Sequence, residues 1–141
     1  MLVDTQGHLL GVLVLSADVA DRDGAVLLLA IYAARYPWLV LIWGDKHYGG
    51  DLSAETEAAF GIVIAVVSKP PEQQGFVVQP RRWVVERSFG WLTPCRRLAR
   101  DYEREPTYSE AWIYLAESHR LLKQLAPDTS LPRPYQRREA A

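Results

Sequence analysis

Apolar positions follow two rhythms along this chain, and the changes between them lay out the expected elements. From Leu9 to Leu15 the run is almost continuously apolar, with Gly11 inside it. That pattern predicts a strand, paired across a Thr5-Gln6-Gly7 turn with a shorter strand ending at Leu2-Val3-Asp4. From about residue 23 to 35 the period lengthens to that of a helix. Ala25, Leu28, Leu29 and Tyr32 fall on one face, Asp18 and Asp21 offer N-caps, and Pro37 stops it. Residues 39–43 and 62–67 are short unbroken apolar runs, the signature of buried parallel strands. A short polar helix starting at Asp51 or Ser53 lies between them. A loop is expected from Pro70 to Gly75, then helices over about 80–99 and 108–125. In the first, Val85, Phe89 and Leu92 recur at i, i+4 and i+7 as one apolar stripe. In the second, Trp112, Leu115, Leu122 and Leu125 are expected to pack on the sheet. The tail over 127–141, with Pro132 and Pro134, is expected to be disordered.

The order β-β-α-β-α-β-α-α predicts an α/β fold, a sheet layered by helices. A chain of 141 residues with 49% apolar content buries one core and leaves no room for a second domain. No apolar run approaches the roughly 20 residues of a membrane span. The single cysteine, Cys95, excludes an internal disulfide and fits a reducing cytoplasm. The Met1 start lacks the basic region and cleavage site of a signal peptide. The expectation is a cytoplasmic protein without membrane contact.

Charge changes the picture only when it is counted by segment. Overall, 16 basic residues face 17 acidic ones. Residues 1–80 carry 4 Lys/Arg against 9 Asp/Glu, and residues 105–141 balance at 5 and 5. Residues 81–104 carry 7 Arg, no Lys and 3 acids. Arginine without lysine suits bidentate contacts to phosphate, and this asymmetry is the footprint of a nucleic-acid partner. The competing reading is a solvated helix laced by local ion pairs.

Two acids carry the candidate chemistry. Asp45 stands just past an apolar strand in Trp43-Gly44-Asp45-Lys46-His47-Tyr48-Gly49-Gly50, and sites in α/β sheets gather at strand ends. Glu86 lies on the arginine-rich helix, with Arg82 one turn before it. Carboxylates brought together from separate elements are what Mg²⁺ requires, since it takes few protein oxygens and fills its shell with water and phosphate. Read alone, Asp45 is equally a turn residue ahead of Gly49 and Gly50. Trp83 and Trp91 are stacking platforms for bases or, on a crowded helix, packing residues. Cys95 reads as a half-buried helix cysteine, His47 as a substrate contact or an incidental exposed loop histidine, and His8 and His119 show no ligand spacing.

At these residues the chain resembles the C-terminal part of the DDE transposases of bacterial insertion sequences. The resemblance runs from Leu2-Val3-Asp4-Thr5-Gln6-Gly7 through Asp21-Arg22-Asp23-Gly24 and the Asp45 motif to about Leu125. Its most specific part is residues 83–97, followed by Asp101-Tyr102-Glu103-Arg104. It implies an RNase H-like fold, here incomplete with its first strand missing, followed by C-terminal helices. Residues 1–126 would then be a partial catalytic domain. By position, Asp45 corresponds to the second catalytic aspartate, Glu86 to the catalytic glutamate and Arg82 to the basic residue ahead of it. Both acids would be ligands of Mg²⁺ or Mn²⁺. Arg82, Arg87, Arg96, Arg97 and Arg100 would contact DNA through phosphates, without reading bases.

The chain departs from the family pattern in three places. Some branches have a tyrosine where this chain has Gln79, and a lysine where it has Thr93; Arg96 or Arg97 would supply that charge. The first catalytic aspartate belongs to a strand upstream of Leu2. Asp4 matches a hairpin aspartate and has a turn or capping role. The implied activity is metal-dependent cleavage and joining of DNA strands at insertion-sequence ends. With one acid absent, the chain is expected to be inactive or nearly so alone. It would need an upstream transposase fragment, or act as a non-catalytic remnant that binds DNA or an intact transposase. A relic without function is the third reading.

Overall fold

The computed structural model describes residues 1–67 and 82–126, the side chain of Arg82 excepted. The expected loop at Pro70, Gln79, the first residues of the expected helix over 80–99 and the tail from Pro127 lie outside the described residues.

The elements come in the expected order. Strand β1 (Leu2–Val3) pairs antiparallel with β2 (Leu9–Gly11). Helix α1 (Asp21–Tyr32) leads to β3 (Leu41–Gly44), α2 (Leu52–Phe60) and β4 (Val63–Val66). Strands β3 and β4 pair in parallel, Leu41 against Val63 through Gly44 against Val66. Helices α3 (Arg82–Leu92) and α4 (Pro106–Leu125) follow. Mixed strands and helices make this an α/β fold, in which the described strands form two separate two-stranded sheets.

Helix α1 joins the two sheets. Leu29 packs with Leu52, Ile62 and Ile64, while Leu28 and Tyr32 pack with Leu2, and Leu39 and Ile42 touch both groups. The helix starts at Asp21, two residues before its expected start. Its N-cap is Ala20, with no side-chain cap. Asp21 and Asp23 therefore act from inside the first turn, where negative charge offsets the helix dipole. Asp51 precedes α2, again without a capping bond.

Asp4 organises the hairpin turn. Its carboxylate accepts from the Gln6 and His8 amides at 2.8 and 2.9 Å and meets His8 Nδ1 at 3.1 Å. Burial pushes its pKa upward, but the bonds from His8 and Gln6 outweigh that and hold it below the ordinary value. This is the turn role expected of it. Gly7 completes the turn at φ +87°, a left-handed conformation that costs glycine little.

Several packing expectations are corrected. The buried line of α3 is Val84, Ser88 and Leu92, and Phe89 is 55% exposed. The face is rotated because Ser88, a polar residue, is taken inward by a bond to the hairpin. The helix ends at Leu92, with Pro94 just beyond, where an interior helical position would cost a backbone bond. Cys95 is half-buried in the turns that follow and not on a helix. On α4, Leu115, Leu122 and Leu125 are exposed, and Ser109 and Glu117 are the buried residues. The helix meets the β2 segment through polar groups, Glu110 and Tyr114. Strand β3 is less enclosed than an unbroken apolar run suggests, with Leu41 37% exposed.

Candidate functional site

Asp45 follows the last residue of β3, the strand-end position expected of it. Its carboxylate caps the one-turn 3₁₀ helix Lys46–Tyr48 by accepting from the His47 amide at 2.9 Å. The ring Nδ1 of His47 lies 3.2 Å from the same carboxylate. The side chain is 38% exposed. The turn role read from the sequence is present in the structure. Beyond it, Gly50 takes φ +78°, which lets the chain reverse into α2. His47, read from the sequence as an incidental loop histidine, steadies the acid. That contact is local, and a histidine two residues after an aspartate was its available signal.

A further acid stands nearby. Burial, then the charges of Asp21 and Asp45, push the Tyr48 phenol above its ordinary pKa. Asp21, read from sequence as a helix cap, thus shares the neighbourhood of Tyr48 with Asp45.

Glu86 is exposed on α3, where its neighbours along the helix form a cation–aromatic stack. The Arg87 guanidinium lies 4.3 Å from the Trp83 ring and 4.7 Å from the Trp91 ring, and donates to the Gln6 carbonyl at 2.5 Å. Arg120 covers Trp91 at 4.1 Å and is held by the buried carboxylate of Glu117, with Nε–Oε2 at 2.7 Å. Trp91 is therefore stacked against two guanidinium groups, and the tryptophans pack on arginine. The spacing of Glu117 and Arg120 at i and i+3 on a helix was the signal that could have revealed this pair.

The remaining arginines occupy the turns after α3. Arg97 donates to Glu103 at 2.6 Å and lies over Tyr102 and Trp112 at 5.7 and 5.2 Å. Arg100 lies 5.6 Å from the Tyr102 ring. Arg96 and Arg100 are exposed. Arg82 opens α3, and its side chain lies outside the described residues. Thr93 is exposed and bonds back to the Phe89 carbonyl at 2.9 Å.

Asp45 and Glu86 sit on separate elements. Among the described residues, no group of three His, Cys, Asp or Glu side chains is placed to hold a metal ion. The two acids do not complete a metal centre by themselves. Among the described residues, no helix is long and apolar enough to cross a membrane.

A family model described as a transposase DDE domain matches residues 1–119. No curated protein and no solved structure matches the chain.

Proposed function

The chain belongs to the transposase DDE-domain family, and from that premise we propose that it supplies two of the three carboxylates of a DNA strand-transfer site. Family membership implies transposition, a DNA substrate and a divalent metal ion. The observation that carries the residue assignment is the position of Asp45. It is a half-exposed carboxylate just past β3, braced by His47, inside the matched region.

In this reading the fold is an RNase H-like domain. Asp45 and Glu86 contribute oxygens to Mg²⁺ or Mn²⁺. When bound, the metal supplies charge stabilisation for displacement at phosphorus. The chain's own part is positioning. His47 fixes one face of the Asp45 carboxylate, and α3 presents Glu86 on a helix tied to the hairpin turn by the Arg87–Gln6 and Ser88–Gly7 bonds. Phosphate contact falls first to Arg96 and Arg100, since Arg87 and Arg97 already hold protein partners.

That no three His, Cys, Asp or Glu side chains among the described residues are placed to hold a metal ion favours a second reading, a non-catalytic polypeptide that binds DNA or an intact transposase. One assay addresses both. With labelled insertion-sequence-end DNA and Mn²⁺, the pure chain is expected to bind with salt-dependent affinity and leave the strands intact. Cleavage lost on Asp45→Ala overturns inactivity alone, and no binding at low salt overturns the DNA partner.

A further inference from the structure

The arginines around α3 differ in how firmly the fold already holds them. Arg87 is stacked on Trp83 and Trp91 and bonded to the Gln6 carbonyl. Arg96 and Arg100 are exposed. Arg97 stands between these cases. Its Nη2 donates to Glu103 Oε1 at 2.6 Å, and among the described residues this is its only hydrogen bond. The Arg97 side chain is still 46% exposed, against 18% for Glu103. A guanidinium carries five N–H donors in a planar fork, so most of that capacity faces away from the carboxylate.

The carboxylate is more firmly fixed than the cation. The Glu103 amide donates to Asp101 Oδ1 at 3.0 Å, and the same oxygen accepts from the Ser109 hydroxyl at 3.0 Å. Glu103 Oε1 accepts a second bond, from Trp112 Nε1 at 3.1 Å. Glu103 therefore keeps a donor when Arg97 leaves. Arg97 is otherwise guided by ring faces, 5.2 Å from Trp112 and 5.7 Å from Tyr102, contacts that consume none of its N–H groups. It lines two clefts, one of about 440 Å³ with Tyr108 and Leu115 and one of about 310 Å³ with Phe89 and Leu98. The guanidinium thus has space to turn. A half-exposed ion pair contributes little to stability. A DNA phosphate offers arginine the same fork of oxygens as a carboxylate and adds counterion release.

We propose that Glu103 is an internal stand-in for a DNA phosphate. It holds Arg97 ready in the free chain and yields it to the DNA backbone on binding, while Trp112 keeps the Glu103 oxygen bonded. Arg97 then joins Arg96 and Arg100 as a phosphate contact, and Glu103 is the residue that sets the cost of recruiting it. This inference rests on the DNA partner proposed above and not on the roles of Asp45 and Glu86.

The probe is a fluorescently labelled DNA duplex, titrated by anisotropy against the full chain at several salt concentrations. Glu103→Gln removes the charge that holds Arg97 but keeps an acceptor for Trp112. Glu105→Gln is the control, since it removes the same charge two residues away from a side chain that makes no capping bond. Glu103→Gln is expected to bind about three- to fivefold tighter than the unaltered chain, and Glu105→Gln to change affinity by about twofold at most. A merely structural Glu103 would give weaker binding instead. Arg97→Gln is expected to lower the slope of log affinity against log salt by about one. In the Arg97→Gln background, Glu103→Gln is expected to gain no more than Glu105→Gln does. Equal gains from the two glutamate variants, a gain that persists without Arg97, or a salt slope unchanged by Arg97→Gln overturns the exchange. If circular dichroism shows that Glu103→Gln has lost its fold, the slope of Arg97→Gln decides by itself. No binding of the duplex by the unaltered chain at low salt overturns the DNA partner, and the exchange falls with it.

Discussion

The Ser88 hydroxyl on α3 lies 2.8 Å from the Gly7 carbonyl in the hairpin turn, and shares its proton with the Val84 carbonyl at 3.0 Å. This bond ties the helix bearing Glu86 to the first turn of the chain. Gly7 has no room for a side chain. A Cβ there would stand 2.8 Å from the Ser88 oxygen and 3.1 Å from the Trp91 ring, on a backbone at φ +87°. Gly7→Ala is expected to cost about 1–3 kcal/mol through strain, and Ser88→Ala about 1–2 kcal/mol. Urea denaturation of both and of the double variant checks this. The two losses are expected to fall short of additive, because they remove one contact.

Arg87 separates a packing role from a DNA role. Arg87→Gln is expected to lower stability by about 1–2 kcal/mol, since the guanidinium stack and the bond to Gln6 both go. The slope of log affinity for DNA against log salt is expected to stay unchanged. Arg96→Ala and Arg100→Ala are expected to do the reverse. Each leaves stability within about 0.5 kcal/mol and lowers the salt slope by about one. Anisotropy titrations at several salt concentrations, beside denaturation curves, read both quantities.

Alkali is expected to loosen α4 from the hairpin. The Tyr114 hydroxyl lies 2.6 Å from that of Tyr32. Burial, then the bond to Tyr32, pushes its pKa up to about 12. An unfolded tyrosine titrates near 10. Between those values the folded state holds the extra proton, so stability falls as pH rises from about 10 toward about 12. Below that window the contribution is fully present. Thermal melting from pH 8 to 11 is expected to show this loss in the native chain, and a shallower one in Tyr114→Phe.

What the sequence disclosed follows from which contacts are local. The order of elements was legible because each carries its own period, and the parallel pairing of β3 with β4 because both are short apolar runs with a helix between them. Asp45 was legible as a strand-end acid for the same reason. The face of α3 was not. Val85 and Phe89 fit the apolar period, but Ser88 is buried through a carbonyl 81 residues away, and that partner is invisible in a local window. The exposed Leu122 and Leu125 make the same point on α4. Its contacts run through Glu110 and Tyr114 to Val14 and Val12, about a hundred residues earlier. The arginine block suggested phosphate contacts, yet composition does not reveal that Trp83 and Trp91 take up the Arg87 guanidinium.

The assignment of Asp45 and Glu86 is best examined by reconstitution. Labelled insertion-sequence-end DNA would be incubated with Mn²⁺ and the chain, alone and mixed with a family transposase fragment bearing the first catalytic strand. Intact DNA with the chain alone and cleavage in the mixture, lost on Asp45→Ala and on Glu86→Ala, is the expected result. Cleavage by the mixture that survives both substitutions would remove these two acids from the chemistry and contradict the assignment.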